Sequence, residues 1–213
     1  MGNRIFKNKT PKFLRDTLVK REQWIAEKIK NGIDLPASKV IFNGVYGFLG
    51  EETKSFFKEL RLKPEYQQKV DEFTEQHLKG KTVLGVHIRY YDKNLPVNNH
   101  TKFWLEPEKS MKIIESRIEK IISEIDDPNF VILLVTDNKM VHDTIRKNFD
   151  KVVSYEKKFD IVQKGMHLSL PVDSAFAGLI EMFLLAKSDI MFRFPPHGSW
   201  FSHYGAIHAK KVY

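Results

Sequence analysis

The segment from Gly85 to Lys93 reads GVHIRYYDK. In an extended chain, side chains alternate between faces, so His87 and Arg89 share one face while Val86 and Ile88 take the other. A strand buried in a parallel sheet is normally apolar on both faces, and one that ends in His and Arg calls for a reason. Arg offers a planar fork whose N–H groups match two oxygens of a phosphate. Asp92 and Lys93 follow in the loop at the strand's carboxyl end, where ligands of open α/β sheets bind. The same spacing admits a second reading, in which Arg89 and Asp92 form an ion pair that only closes the loop.

Three more places carry polar chemistry at the ends of apolar runs. Val131 to Val135 leads into Thr136-Asp137-Asn138, any of which suits the cap of the next helix by accepting from its exposed N–H groups. Capping and ligand contact are compatible there, because this tip is expected beside that of His87 to Asp92. In PVDSAFAGLIEMFLLAKSD, residues 171–189, Asp173 or Ser174 is a good N-cap and Glu181 stands among Ile180, Met182 and Phe183. A carboxylate on so apolar a helix must reach solvent, a cation or a ligand hydroxyl, since burying it unpaired is costly. The strand after it feeds PPHGSWFSHYG, in which Gly198-Ser199, followed by Trp200, would open a helix whose N–H groups attract an anion.

The elements that must position these residues are legible as an alternation of strand and helix from about residue 82. The expected order is a strand at Val83 to Ile88, a helix over 107–125 with Met111, Ile114, Ile118, Ile121 and Ile122 on one face, and a buried strand at Val131 to Val135. A helix over 139–148, a short strand at Val152-Val153, a polar stretch from Glu156 to Leu170, a helix over 174–187 and a strand at Ile190 to Phe194 follow. A last helix ends in a strand-like VY terminus. Such alternation implies a mostly parallel sheet. Before it, 11–31 has the three-and-four spacing of an amphipathic helix, Val40 to Phe48 suits an irregular strand or loop, and 51–78 reads as a helix in two pieces interrupted near Pro64.

Composition narrows the class. With 213 residues, 42% hydrophobic and 29% charged, the chain suits one well-buried globular domain, or one domain plus a small appendage. Its apolar runs are far shorter than the roughly 20 residues of a membrane span, and MGNRIFKNKT lacks the apolar stretch of a secretion signal. There is no cysteine, hence no disulfide and no thiolate metal site. A reducing, cytoplasmic setting is the expectation. The net charge of +8 suits an anionic partner. Residues 1–81 hold 17 Lys and Arg against 11 Asp and Glu, whereas 82–213 hold 18 against 16. The excess therefore lies mainly outside the candidate site and reads as a solvated basic face. A nucleic-acid-binding reading finds no helix-turn-helix, zinc or RNP-type signature, and no nucleic-acid partner is expected.

Taken in order, the segments resemble the donor-binding motifs of the α1,6-, α1,2- and protein O-fucosyltransferase superfamily over roughly residues 65–213. The first motif, H-x-R-x-x-D, is His87, Arg89 and Asp92, and Lys93 after it resembles the α1,6 branch. The second, Thr-Asp-Asp after a strand, is Thr136 and Asp137 with Asn138 departing. The third, an acidic residue in an apolar helix before a strand and a Ser-bearing turn, is similar to Glu181 and Ser199 to His203. A further departure is Tyr90, where the α1,6 branch has a second arginine.

The resemblance implies a Rossmann-like nucleotide-sugar-binding domain over 81–213, similar to the C-terminal half of a GT-B glycosyltransferase. It leaves 1–80 as a helical N-terminal extension or reduced acceptor region. It implies GDP-fucose as donor, inversion at the fucose carbon, no metal or other cofactor, and a glycan or other hydroxyl acceptor. Arg89, His87 and Asp92 would form the catalytic group, with Arg89 at the β-phosphate and His87 shaping the site. Lys93, Asp137, Glu181, Gly198, Ser199 and Trp200 would hold the donor. The short N-terminal region leaves room for a partner chain or a missing acceptor domain, or for a catalytically inactive nucleotide-sugar-binding or partner-binding module.

Overall fold

The structure is a computed structural model, and it describes residues 58–90, 106–159, 172–194 and 200–213. The expectations for 11–31 and for Val40 to Phe48 lie outside these residues. So do Asp92, Lys93, Gly198 and Ser199, and the side chain of Trp200. The chain divides into two compact units, Met1–Gly50 and Glu51–Tyr213, and every described residue belongs to the second.

Pro64 opens a helix: α1 spans Pro64–Phe73 with the proline in its first turn, where the missing N–H is not needed and φ is already helical. The helix passes into a π-helical turn, Thr74–Leu78, and α1 and this turn bury Val70 and Leu78. Strand β1, Thr82–Ile88, is followed by α2, Pro107–Ser123, then by β2, Phe130–Thr136, and α3, Lys139–Asn148. Strand β3 is Val152–Val153, α4 is Val172–Leu185, β4 is Ile190–Phe194, α5 is Trp200–His208 and β5 is Lys211–Val212.

The five strands form one sheet in the order β3-β2-β1-β4-β5, and every pairing is parallel. Two cores follow from the period of two in β1. Leu84, Val86 and Ile88 pack with α2 and α3 residues such as Ile114, Ile118 and Ile145. Val83 joins the opposite core, built from α1 and α4 with Val70, Ile180 and Leu184. Helices thus cover both faces, which explains why β1 and β2 are buried almost throughout.

The chain winds outward from β1 through β2 to β3, then returns to place β4 on the other side of β1. The carboxyl ends of β1 and β4 therefore flank a topological switch point, the place where such sheets bind ligands. Two glycines let the layers close. A Cβ on Gly85 would lie 2.1 Å from Ser188 Oγ, and one on Gly205 would lie 3.0 Å from Leu185 Cβ.

Candidate active site at the sheet's carboxyl edge

The tripeptide after β2 divides its work among three side chains. Asn138 caps α3, its side chain accepting from Val141 N at 3.1 Å, and Thr136 Oγ1 accepts from Asn138 N at 3.3 Å. The middle carboxylate is left to reach across to β1. Asp137 Oδ2 lies 2.9 Å from Arg89 Nη1, and Asp137 Oδ1 accepts from Tyr90 N at 3.0 Å. Arg89 N in turn donates to Phe194 O at 2.8 Å. The tips of β1, β2 and β4 are thereby tied together, and the Arg89 guanidinium is held at the switch point with 18% of its side chain exposed.

The partner of Arg89 is thus a carboxylate on the neighbouring strand tip. The loop-closing reading looked for it at Asp92, which is outside the described residues. Tyr90 takes a different course: its side chain packs on the core of the α2/α3 face, while its backbone N–H binds Asp137.

His87 sits two residues before Arg89 and is 5% exposed. Its ring stacks on Phe201 of α5 at 6.2 Å between centroids. Burial, and then the charges of Arg89, Lys157 and Arg193, lower its pKa to about 3. At neutral pH it is an uncharged imidazole.

Glu181 is buried, and of the three outlets open to it the fold uses a cation. Lys157 Nζ lies 2.6 Å from both carboxylate oxygens. Burial raises the Glu181 pKa to about 7, with Lys157 opposing the rise and Asp137 adding to it. The charges of Arg89, Lys157 and Arg193 act on His87, and those of Lys157 and Asp137 act on Glu181.

Lys157 and Arg193 were not singled out by the sequence reading. Arg193 had a signal, because a cation in the apolar strand IMFRF breaks the same rule as Arg89, and it pairs in register with His87. Lys157 had none, since it lies in a polar stretch between elements. Among the described residues no group of three or more His, Asp or Glu side chains is gathered as a metal ion would need. No helix among them is long and apolar enough to cross a membrane.

The sequence pattern of the family described as Nodulation protein Z (NodZ) matches residues 27–213. The chain belongs to the NodZ family. Relatives include Nodulation protein Z of Bradyrhizobium diazoefficiens, 27% identical over 164 residues that make up 76% of this chain and 44% of that protein. Nodulation protein Z of Sinorhizobium fredii is 26% identical over 164 residues, covering 76% of this chain and 50% of the relative.

The chain spans about half the length of the curated NodZ relatives it matches. The crystal structure of fucosyltransferase NodZ from Bradyrhizobium superposes with a TM-score of 0.59 at 23% identity, over 76% of this chain and 48% of that one. A NodZ alpha-1,6-fucosyltransferase soaked with GDP-fucose gives 0.58 at 21% identity, over 80% and 49%. These superpositions show that the NodZ fold includes the parallel sheet and its helices.

Proposed function

We propose that this chain is the donor-binding part of a GDP-fucose-dependent fucosyltransferase that transfers fucose to a hydroxyl on a glycan or similar acceptor. The observation that carries the reading is the Arg89 guanidinium, held by Asp137 at the switch point of a NodZ-family sheet. The NodZ protein soaked with GDP-fucose supports the choice of donor.

In this reading the bond between the fucose carbon and the diphosphate breaks as the acceptor oxygen attacks from the opposite side. Negative charge grows on the departing β-phosphate, and donors fixed before the reaction stabilise it without reorganising. Arg89 is the group placed to do so, with Ser199, Gly198 and backbone N–H groups at the start of α5 assigned to the pyrophosphate and Asp92, Lys93 and Trp200 to the rest of the donor. Asp137 acts as a positioning residue, since both its oxygens are engaged by β1. Glu181, bound to Lys157, faces the donor as a pair and not as a lone carboxylate. His87, uncharged and buried, gives the site its floor. Cationic side chains take the part a divalent ion plays in other transferases, so turnover is expected without one.

The share of the relatives' length that the chain covers favours a second reading, in which it binds the nucleotide sugar without transferring fucose. A coupled assay of GDP release from GDP-fucose, run with and without chelator, tests both. Slow release unaffected by chelator is the expected result. Release that stops with chelator and returns with manganese or magnesium would contradict the metal-independent mechanism, and GDP binding with no release would favour the inactive module.

A further inference from the structure

A cleft of about 240 Å³ opens between the segment before α1, α1 itself and the last turns of α4 and α5. Because α4 leads into β4 and α5 into β5, those last turns lie at the amino edge of the sheet, away from the strand tips that hold Arg89 and Asp137. Lys58, Arg61 and Lys187 line it, and among the described residues no carboxylate does. Most other exposed lysines that make an ion pair here find a carboxylate on their own helix or on a neighbouring turn, as Lys79 does with Glu75 and Lys210 with Asp189. Among the described residues Lys58 and Lys187 make no such pair. Arg61 bonds, among the described residues, only through Nη1, to the backbone oxygens of Lys58 and Leu60 at 2.9 Å, which fixes the guanidinium at the cleft wall and leaves its other N–H groups to a ligand.

The wall holds two more polar groups. Among the described residues His208 Nε2 is buried with no hydrogen-bond partner, a costly state for a ring nitrogen unless something in the cleft satisfies it. Burial and the charges of Lys58 and Lys187 lower the His208 pKa. Tyr204, whose ring lies 5.0 Å from that of His208, has its pKa pushed up to about 12 by burial, so its hydroxyl keeps its proton. Val70 contributes to an apolar floor.

We propose that this cleft binds a small phosphate monoester, with the phosphate between Arg61, Lys58 and Lys187 and the organic part over the floor toward His208. Three cations without a carboxylate suit a dianion, the fork of Arg61 suits two phosphate oxygens, and the volume exceeds that of a bare ion. The site is separate from the donor site and does not depend on the fucosyltransferase reading.

The test is a titration of the chain with inorganic phosphate and with a hexose monophosphate at constant ionic strength, followed by backbone amide chemical shifts. The double variant Lys58→Ala/Lys187→Ala changes only exposed side chains, and Arg89→Ala serves as a control for the donor site. Saturable shifts at Lys187, Tyr204 and His208 are expected, stronger binding by the hexose monophosphate, and a loss of at least about tenfold in the double variant with none in Arg89→Ala. No saturable shifts at these residues, or equal binding by the double variant, would overturn the site. Tighter binding of bare phosphate than of the monoester would overturn the assignment of the floor.

Discussion

The pairing of Lys157 with Glu181 brings a polar loop and an apolar helix together through one buried contact, and its energetics follow from burial. A carboxylate at 3% exposure resists ionisation, and its pKa near 7 shows that Lys157 offsets only part of that resistance. A carboxyl whose folded pKa is raised contributes stability that is fully present below its unfolded value of about 4.5 and is lost as pH rises through about 7. In Lys157→Met the offset disappears, so Glu181 should titrate above the parent's value, read from its side-chain carboxyl carbon by NMR. The variant's melting temperature should then fall more steeply than the parent's between pH 5 and pH 8, because breaking a buried pair costs about 3–5 kcal/mol only where the remaining group is charged. An unchanged Glu181 titration would show that Lys157 does not govern it. His87 sits in the same field but responds in the opposite sense, since burial and three cations favour its neutral form.

At the scale of elements, the site exists because three strand tips meet, and their meeting depends on how closely α4, its following turn and β1 approach. Ser188 in that turn lies where a Cβ on Gly85 would be, at 2.1 Å from its Oγ and 2.9 Å from its Cβ. Gly85→Ala should therefore destabilise the unit by about 1–3 kcal/mol, read as a fall in urea midpoint at constant slope, and Ser188→Gly should restore part of the loss. A Gly85→Ala variant as stable as the parent would mean that the turn moves away at little cost.

Much of this layer was legible in the sequence. The apolar runs and the switch between periods of two and 3.6 located β1 to β4 and α2 to α4 within two residues, because burial on both faces writes itself into composition. Arg89 and Asp137 stood out because they end such runs. Their contact with each other did not, since the loop-closing reading considered Asp92, the nearer residue in sequence, whereas sheet order makes β2 the neighbour. Lys157 was hidden because nothing in a polar loop says which lysine folds back onto a helix. Asn138, a departure from the fucosyltransferase motif, is explained locally by its cap on α3. Tyr90 is explained by its packing on the opposite core.

For the molecule as a whole, family membership and a parallel sheet with the Arg89–Asp137 pair at its carboxyl edge are in hand, and the step from there to fucosyl transfer is the proposal. Transfer requires a second reactant aligned with the fucose carbon, and orientation supplies much of the rate. The chain spans about half the length of its NodZ relatives, and donor binding is the part of the proposal that a test on this chain reaches most directly. The net charge of +8 would attract any nucleotide weakly and in a salt-dependent way, and specific donor binding has to be distinguished from that background. Calorimetric titration of GDP, UDP and ADP at low and high salt, on the parent, Arg89→Ala and Arg89→Lys, makes the distinction. The account predicts a preference for GDP that survives salt, a loss of about 1.5–3 kcal/mol in Arg89→Ala with the fold intact by circular dichroism, and little recovery in Arg89→Lys because a point charge does not replace a fork. Equal affinity for the three nucleotides, or parental GDP affinity in a folded Arg89→Ala, would contradict it.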